Sequence, residues 1–192
     1  MKVIKTLLAT IGIFTLVGIG ILAMKVLPIL ADFDPRAANV YRDFAYKLLE
    51  TKDPGAVMVK TVPVQEGLTT EDVVQAMKSL AVARNFLFVG ESPFYKQVEA
   101  VTGTPYRYVN SLSFCDARVG KMMADYRDLY TAFMPCRIAL VEDKNGKLWL
   151  YSMNLELMIY GGQPLPPEIK QGALKIWNTI QFIMDEAAKG NF

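Results

Sequence analysis

The pattern of hydrophobic positions divides the chain into an uninterrupted apolar start and a patterned remainder. Residues 6–24 carry no charged side chain. As a helix rising about 1.5 Å per residue they would extend roughly 28 Å, close to the hydrocarbon thickness of a bilayer, about 30 Å. A cleaved signal peptide is the alternative, but this run exceeds the usual apolar region of about 7–15 residues and no good cleavage site follows it. We therefore predict that residues 1–31 form a retained membrane anchor helix.

The charges around this segment predict its orientation. Lys2 and Lys5 precede it, whereas Lys25 is followed by Asp32 and Asp34. Positive charge favours the cytoplasmic side of a membrane. We expect a single-pass protein of the bacterial inner membrane, in contact with the lipid bilayer, with a cytoplasmic N-terminus and a periplasmic domain.

The remainder, residues 32–192, alternates between helical stripes and short apolar strands. Helices are predicted at residues 35–52, 70–84, 93–101, 116–132 and 167–189. Strands are predicted at residues 56–64, 85–89, 106–114, 136–142 and 147–153. Asn145-Gly146, between the last two strands, is typical of a tight antiparallel hairpin. This order predicts one small α+β domain, with helices packed on a mainly antiparallel sheet.

Composition and charge exclude several classes of function. Hydrophobic residues make up 52% of the chain, which excludes a disordered protein. The net charge is +2, and because the first 31 residues contribute three lysines and no acid, residues 32–192 carry −1. Such a domain lacks the basic surface that nucleic-acid binding requires, so we expect no nucleic-acid partner. The absence of histidine excludes imidazole metal sites and histidine-based catalysis.

The two cysteines, Cys115 and Cys136, allow three interpretations. An even number of cysteines in an exported domain favours a disulfide. A straight helix over residues 116–132 would, however, hold the two about 25 Å apart, which favours buried, unreactive thiols. A break near Asp125, or an extended return through residues 131–135, would allow the disulfide. The third interpretation is a reactive Cys115, whose pKa would be lowered by its place at a helix N-terminus.

A soft-metal site is the alternative to a protein without a cofactor. The two thiols together with Met122 and Met134 have the sulfur ligands that Cu(I) prefers. Met122 and Met123 also fall on the apolar stripe of their helix, where methionine serves as core packing. Core packing is the favoured interpretation, so we expect no cofactor and keep copper as the alternative. No carboxylate pair lies in an evident apolar pocket, so no catalytic residue is predicted.

Aromatic side chains are concentrated in the predicted strands and loops. Cross-strand packing and a protein-binding face both explain them, since tyrosine and tryptophan are frequent in sheets and in interfaces. The candidate interface residues are Tyr106, Tyr108, Trp149, Tyr151 and Tyr160, with Tyr95 nearby.

Three motifs lie between residues 69 and 162. They are an E-x-V-V-x-A-x-K-x-x-A-x-x-R-N-F passage at 71–86, Phe-Cys-Asp at 114–116, and the Pro-Cys-Arg-Ile hairpin at 135–150, which is the most specific. With them this stretch resembles the bacterial domain-of-unknown-function 302 family. The resemblance implies a compact α+β domain that is often exported and self-associating and has no established chemistry. The membrane helix and the long C-terminal helix go beyond a bare domain of that type, which suggests docking on something larger.

Three functional hypotheses result. The first is a non-catalytic, membrane-anchored accessory subunit, in contact with other membrane-protein subunits of an energy-converting or redox complex. The second is a thiol-redox or copper-binding protein that uses Cys115 and Cys136. The third is a domain that holds a small apolar ligand between helix and sheet.

Overall fold

The computed structural model describes residues 2–192. The helices are α1 (Lys2–Ala31), α2 (Ala37–Thr51), α3 (Pro54–Met58), α4 (Thr70–Ala83), α5 (Phe94–Thr102), α6 (Ala117–Tyr126), α7 (Glu156–Tyr160) and α8 (Pro167–Ala187). A 3₁₀ helix covers Asp128–Phe133, and the strands are β1 (Val59–Pro63), β2 (Leu87–Ser92), β3 (Val109–Cys115), β4 (Cys136–Glu142) and β5 (Leu148–Met153). The predicted α+β fold with an N-terminal apolar helix is confirmed.

The five strands form one antiparallel sheet in the order β1-β5-β4-β3-β2. The β4–β5 hairpin turns at Asn145-Gly146 as predicted, and Gly146 has a φ of 77°, which glycine adopts at little cost. The β1–β5 pairing brings the first strand of the domain beside the last. The sheet is therefore assembled from both ends of the domain.

The core lies between one face of the sheet and the layer of α4, α6 and α8. Alternate strand residues such as Leu112, Ile138 and Leu150 are fully buried on that face. Ile180 and Ile183 of α8 are also fully buried. At about 25 cal/mol per Å² of apolar surface removed from water, this packing is the main stabilising contribution to the fold.

The opposite face of the sheet carries small and aromatic side chains. Ser111, Ala139 and Tyr151 occupy one row across β3, β4 and β5, and Trp149 lies in the adjacent row. These side chains are half-buried and alternate with the core residues, so they point away from the helical layer.

Two predicted elements are corrected by the structure. Residues 56–58 belong to α3, because Pro54 occupies its first turn and the Asp53 carboxylate accepts the Gly55 N–H at 2.8 Å. The helix that begins after Asp116 is not continuous to residue 132. It ends at Tyr126, Arg127 is extended, and the 3₁₀ helix follows.

The helix α1 is long and apolar enough to cross a membrane. Its candidate span, Ile4–Ala31, has a mean hydropathy of 2.4, and none of that window is buried inside the molecule. Apolar side chains project on all sides of it, whereas a helix on the surface of a soluble domain has a polar face.

The junction between α1 and the domain is held by several polar contacts. Only Asp32 and Phe33 separate α1 from Asp34, which is buried and paired with Lys170 of α8. The Asp34 N–H donates to the Gly162 carbonyl at 2.8 Å. The guanidinium of Arg36 donates to the Tyr160 hydroxyl at 2.8 Å. The domain is thus fixed to the end of the apolar helix within three residues.

Candidate functional site

Five sulfur-containing residues line one apolar cavity, which we call the sulfur pocket. It has a volume of about 60 Å³ and is enclosed by β3, α6, the 3₁₀ helix, β4, α7 and α8. Its sulfur-bearing residues are Cys115, Met123, Met134, Cys136 and Met158. Apolar side chains, among them Val119, Phe133 and Ile176, fill the rest of its wall.

The interruption of the helix at Arg127 brings the two cysteines together. Cys115 is the last residue of β3 and Cys136 the first of β4. Because the chain turns back after Tyr126, β4 pairs with β3 and Cys136 lies directly opposite Phe114, the neighbour of Cys115. The separation of about 25 Å expected for a straight helix is therefore wrong. Both cysteines are free thiols in this structure, and a disulfide between them stays a prediction.

Asp116 fixes the position of the pocket relative to α8. Its Oδ1 accepts the N–H groups of Arg118 and Val119, at 3.1 and 3.3 Å, and so caps α6. Its Oδ2 accepts a hydrogen bond from Lys175 of α8 at 2.6 Å. Burial alone would raise the pKa of Asp116, but the bond from Lys175 and the capping bonds outweigh it, and the pKa is lowered.

Both thiols of the pocket are held in the protonated form at neutral pH. Burial raises the pKa of Cys115, and the adjacent Asp116 carboxylate raises it further. Burial raises the pKa of Cys136 to about 11, with a smaller contribution from Cys115. The lowered pKa expected for Cys115 at a helix N-terminus is not found, because burial raises the pKa and the carboxylate of Asp116, which caps that terminus, raises it further.

Gly120 leaves open space between two of the sulfur atoms. A Cβ added to this residue would lie 3.6 Å from Cys115 Sγ and 3.6 Å from Met134 Sδ. The two sulfurs therefore face the same gap. Thiol and thioether groups around one apolar space are the donor set that suits Cu(I), so the residues present fit a soft metal.

The pocket differs in composition from the set predicted from sequence. Cys115, Cys136 and Met134 are brought together as expected. Met122 is not part of the pocket, because its side chain packs toward Gly172 of α8. Met158 was missed because it lies on α7, a five-residue helix that the pattern did not indicate. Within residues 2–192 no group of three or more His, Cys, Asp or Glu side chains could hold a metal, so a metal here would depend on methionine.

The predicted aromatic interface residues do not form one surface. Trp149 and Tyr151 lie on the outer face of the sheet. Tyr106 packs edge-on against Phe94, and Tyr108 packs on Tyr95 at 4.9 Å between ring centres.

Tyr160 is not on the surface. It is 6% exposed, and the cations of Arg36 and Lys170 lie over its ring at 4.1 and 4.9 Å. The prediction that Tyr160 is an interface residue is therefore wrong, because its side chain is buried in the junction between α1 and the domain.

A solved structure shares the fold. The crystal structure of the uncharacterized conserved protein DUF302 from Bacillus stearothermophilus superposes with a TM-score of 0.55 at 14% identity, covering 67% of this chain and 96% of that one. At this identity the likeness concerns the fold alone. A search of curated proteins finds no match.

The profile of the family described as "Domain of unknown function DUF302" matches residues 60–187. The match extends beyond the stretch that carried the resemblance and includes α8. The C-terminal helix is therefore part of the family domain, contrary to the expectation from sequence, whereas α1 lies outside the match. With two thirds of its length matched, the chain belongs to the DUF302 family.

Proposed function

We propose that this protein is a non-catalytic, membrane-anchored accessory subunit of a larger bacterial membrane complex. The observation that carries the proposal is that α1 is apolar on all sides and its span has no buried part within the molecule. A helix that is hydrophobic all round requires lipid or other apolar helices around it. The other subunits of an energy-converting or redox complex would provide such contacts.

The junction supports a role in positioning the domain. Asp34 is paired with Lys170, and Tyr41 donates a hydrogen bond to the Gly161 carbonyl at 2.7 Å. Only Asp32 and Phe33 therefore connect α1 to the packed domain, which keeps the domain close to the end of the apolar helix. Trp149 and Tyr151 on that face are residue types that anchor protein contacts.

We further propose that the domain lies in the periplasm and the N-terminus in the cytoplasm. The support is the charge distribution, with Lys2 and Lys5 before the span and two aspartates shortly after it. Protease added to intact spheroplasts should cleave exposed loops of the domain. Protection of the domain until the membrane is broken would contradict this orientation.

The subunit role is tested by site-specific photo-crosslinking in native membranes. A benzophenone amino acid replaces Tyr151 on the outer sheet face or, as the matched control, Tyr46 of α2, which is 67% exposed. We expect one defined membrane-protein product from position 151 and a weaker or different one from position 46. The substitution Ala139→Arg, beside Tyr151, should abolish the product. A protein that migrates only as a monomer after extraction in mild detergent, without a specific product, would contradict the proposal.

A second candidate function is the binding of Cu(I) or thiol redox chemistry. It is favoured by the five sulfur-containing residues that line the sulfur pocket and by the gap that Cys115 Sγ and Met134 Sδ share beside Gly120. A bound Cu(I) would be held by the two thiolates and neighbouring thioethers. Because the thiols are protonated at neutral pH, binding must release protons, and the affinity should rise with pH.

Gly120→Ala gives a sharp test of this candidate. The added methyl meets both sulfurs at ordinary contact distance, so the fold should tolerate it, and alanine favours a helix over glycine by about 1 kcal/mol. The methyl would nevertheless occupy the gap that a metal needs. Anaerobic titration against a chelator of Cu(I) should show at least a tenfold loss of affinity in Gly120→Ala and in Cys136→Ser.

Gly90→Ala is the matched control, because a Cβ there meets nothing within 4 Å and Gly90 is outside the pocket. Its Cu(I) affinity should equal that of the unaltered chain. Equal affinity in all the variants would exclude the sulfur pocket as a metal site.

A further inference from the structure

A second, larger apolar cleft opens beside the point where the chain leaves α1, and we call it the juxtamembrane cleft. It has a volume of about 640 Å³, within the range of roughly 300–1,000 Å³ typical of small-molecule sites. Its wall includes Phe33, Leu129, Phe133, Leu157, Met158 and Gly162. Leu129 and Phe133 are 57% and 40% exposed, although they are large apolar side chains.

The cleft lies close to the predicted membrane surface. Phe33 follows α1 by two residues, and Asp34 is fixed to Gly162 on the cleft wall. From Lys25, the first charge after the uncharged segment, eight residues rise at most about 12 Å to Phe33. The headgroup layer accounts for about 5–8 Å of that distance. A hydrocarbon chain lifted from the outer leaflet can therefore reach the cleft.

The polar lining of the cleft fits an anionic headgroup. Arg127 is the one charged residue among the cleft residues that the structure describes, and it lies in the extended segment between α6 and the 3₁₀ helix. Arg127 is an exposed residue, its guanidinium lies 5.4 Å from the centre of the Tyr126 ring, and no carboxylate is part of the cleft lining. A phosphate at the mouth would have a cationic partner while the chain occupies the apolar wall.

We propose that the juxtamembrane cleft binds an acyl chain of an anionic phospholipid from the adjacent leaflet. This inference rests on the anchoring of α1 in the bilayer, which is part of the proposed function. The cleft shares Tyr130, Phe133 and Met158 with the sulfur pocket, so an acyl chain there would contact residues that also line that pocket.

The full chain in mild detergent is incubated with phosphatidylglycerol that carries a diazirine in its acyl chain, irradiated, and mapped by peptide mass spectrometry. We expect labels both on α1 and on the cleft segment 129–133. Unlabelled phosphatidylglycerol should compete for the cleft label at least tenfold better than phosphatidylcholine. In Arg127→Gln this preference should disappear.

Gly162→Phe places an aromatic ring at the wall of the cleft, and its Cβ is tolerated because it meets nothing within 4 Å and the φ of Gly162 is not positive. We expect this variant to lose at least nine tenths of the cleft label and none of the α1 label. Gly90→Phe is the matched control outside the cleft and should label like the unaltered chain.

The outcomes separate the inference from the function on which it rests. Labels on α1 alone, or an undiminished cleft label in Gly162→Phe, would overturn the lipid site and leave the anchor intact. Absence of label from both α1 and the cleft would overturn the anchor as well.

Discussion

The first and last helices of the chain are both long and rich in apolar residues, but they are covered in different ways. In α8, Ile176, Ile180 and Ile183 are buried against the sheet, whereas Gln171, Lys175 and Asn178 are exposed to solvent. In α1, Leu16 is 70% exposed, and the residues around it are equally uncovered. The difference shows that apolar content does not determine where a helix lies. A helix with one polar face packs on its own domain, whereas a helix without one requires an apolar environment supplied from outside.

The largest effect that distinguishes the two helices is expected from Ile183→Ala, with Leu16→Ala as the matched control. Ile183 is fully buried, so its truncation should lower the free energy of unfolding of the domain by about 2–5 kcal/mol. Leu16→Ala should change it by less than about 0.5 kcal/mol. Chemical unfolding of the full chain in detergent, followed by near-ultraviolet circular dichroism, measures both. Equal losses would mean that α1 packs on the domain.

A smaller effect is expected where α8 approaches α6. A Cβ added to Gly172 would lie 2.4 Å from Met122 Cε and 3.2 Å from Val119 Cγ1. Gly172→Ala should therefore destabilise the domain by about 1–3 kcal/mol, although part of the strain is relieved by movement of the flexible methionine.

In α1, Gly18 offers the matched control, because a Cβ there meets nothing within 4 Å. Gly18→Ala should leave the unfolding midpoint of the domain unchanged. A neutral Gly172→Ala would show that α6 and α8 pack less closely than the structure indicates.

The smallest effect concerns the ion pairs that join α8 to the rest of the domain, and it depends on pH. At both Asp34 and Asp116 burial alone would raise the pKa, but the bond from the paired lysine and the backbone bonds lower it below the usual value of about 3.9. A carboxylate with a lowered pKa in the folded state stabilises the protein above its unfolded pKa, and this contribution is lost as the pH falls through the folded value. The temperature or denaturant concentration at the unfolding midpoint should hence decrease as the pH falls below about 4.

Asp116→Asn should reduce the slope of that pH dependence, since the amide can still cap α6 but does not titrate. The exposed pair of Lys121 and Asp125 serves as the control, and Asp125→Asn should leave the slope unchanged. A slope unaffected by Asp116→Asn would mean that other carboxylates account for the acid sensitivity.

Much of the fold could be predicted because its signals are local. The hairpin at Asn145-Gly146 and the capping box of Thr69 and Asp72 are encoded by a few adjacent residues. α3 is not predicted because Asp53-Pro54, which follows the predicted helix at 35–52 and is typical of a helix end, also begins the next helix. The break at Arg127 carries neither proline nor glycine, and it follows from tertiary packing that no local pattern records.

The candidate site could be predicted only in part for the same reason. Cys115, Met134 and Cys136 lie within about twenty residues of one another, and their sulfur atoms make them candidate ligands of a soft metal from the sequence alone. Met158 and the junction role of Tyr160 depend on α7 folding back against the domain. The juxtamembrane cleft depends on the ion pair between Asp34 and Lys170 of α8. These two residues lie at opposite ends of the domain sequence, so no local pattern predicts their contact.

The central claim, that α1 lies in lipid while the domain does not, is tested most directly by spin-label accessibility in phospholipid vesicles. Both native cysteines are replaced by alanine, and a nitroxide is attached at Ile13→Cys in α1 or at Leu49→Cys in α2, which is 74% exposed. We predict that the label at position 13 collides readily with oxygen and hardly with a water-soluble nickel chelate, and that position 49 shows the reverse. Free access of the nickel chelate to position 13 would contradict the account.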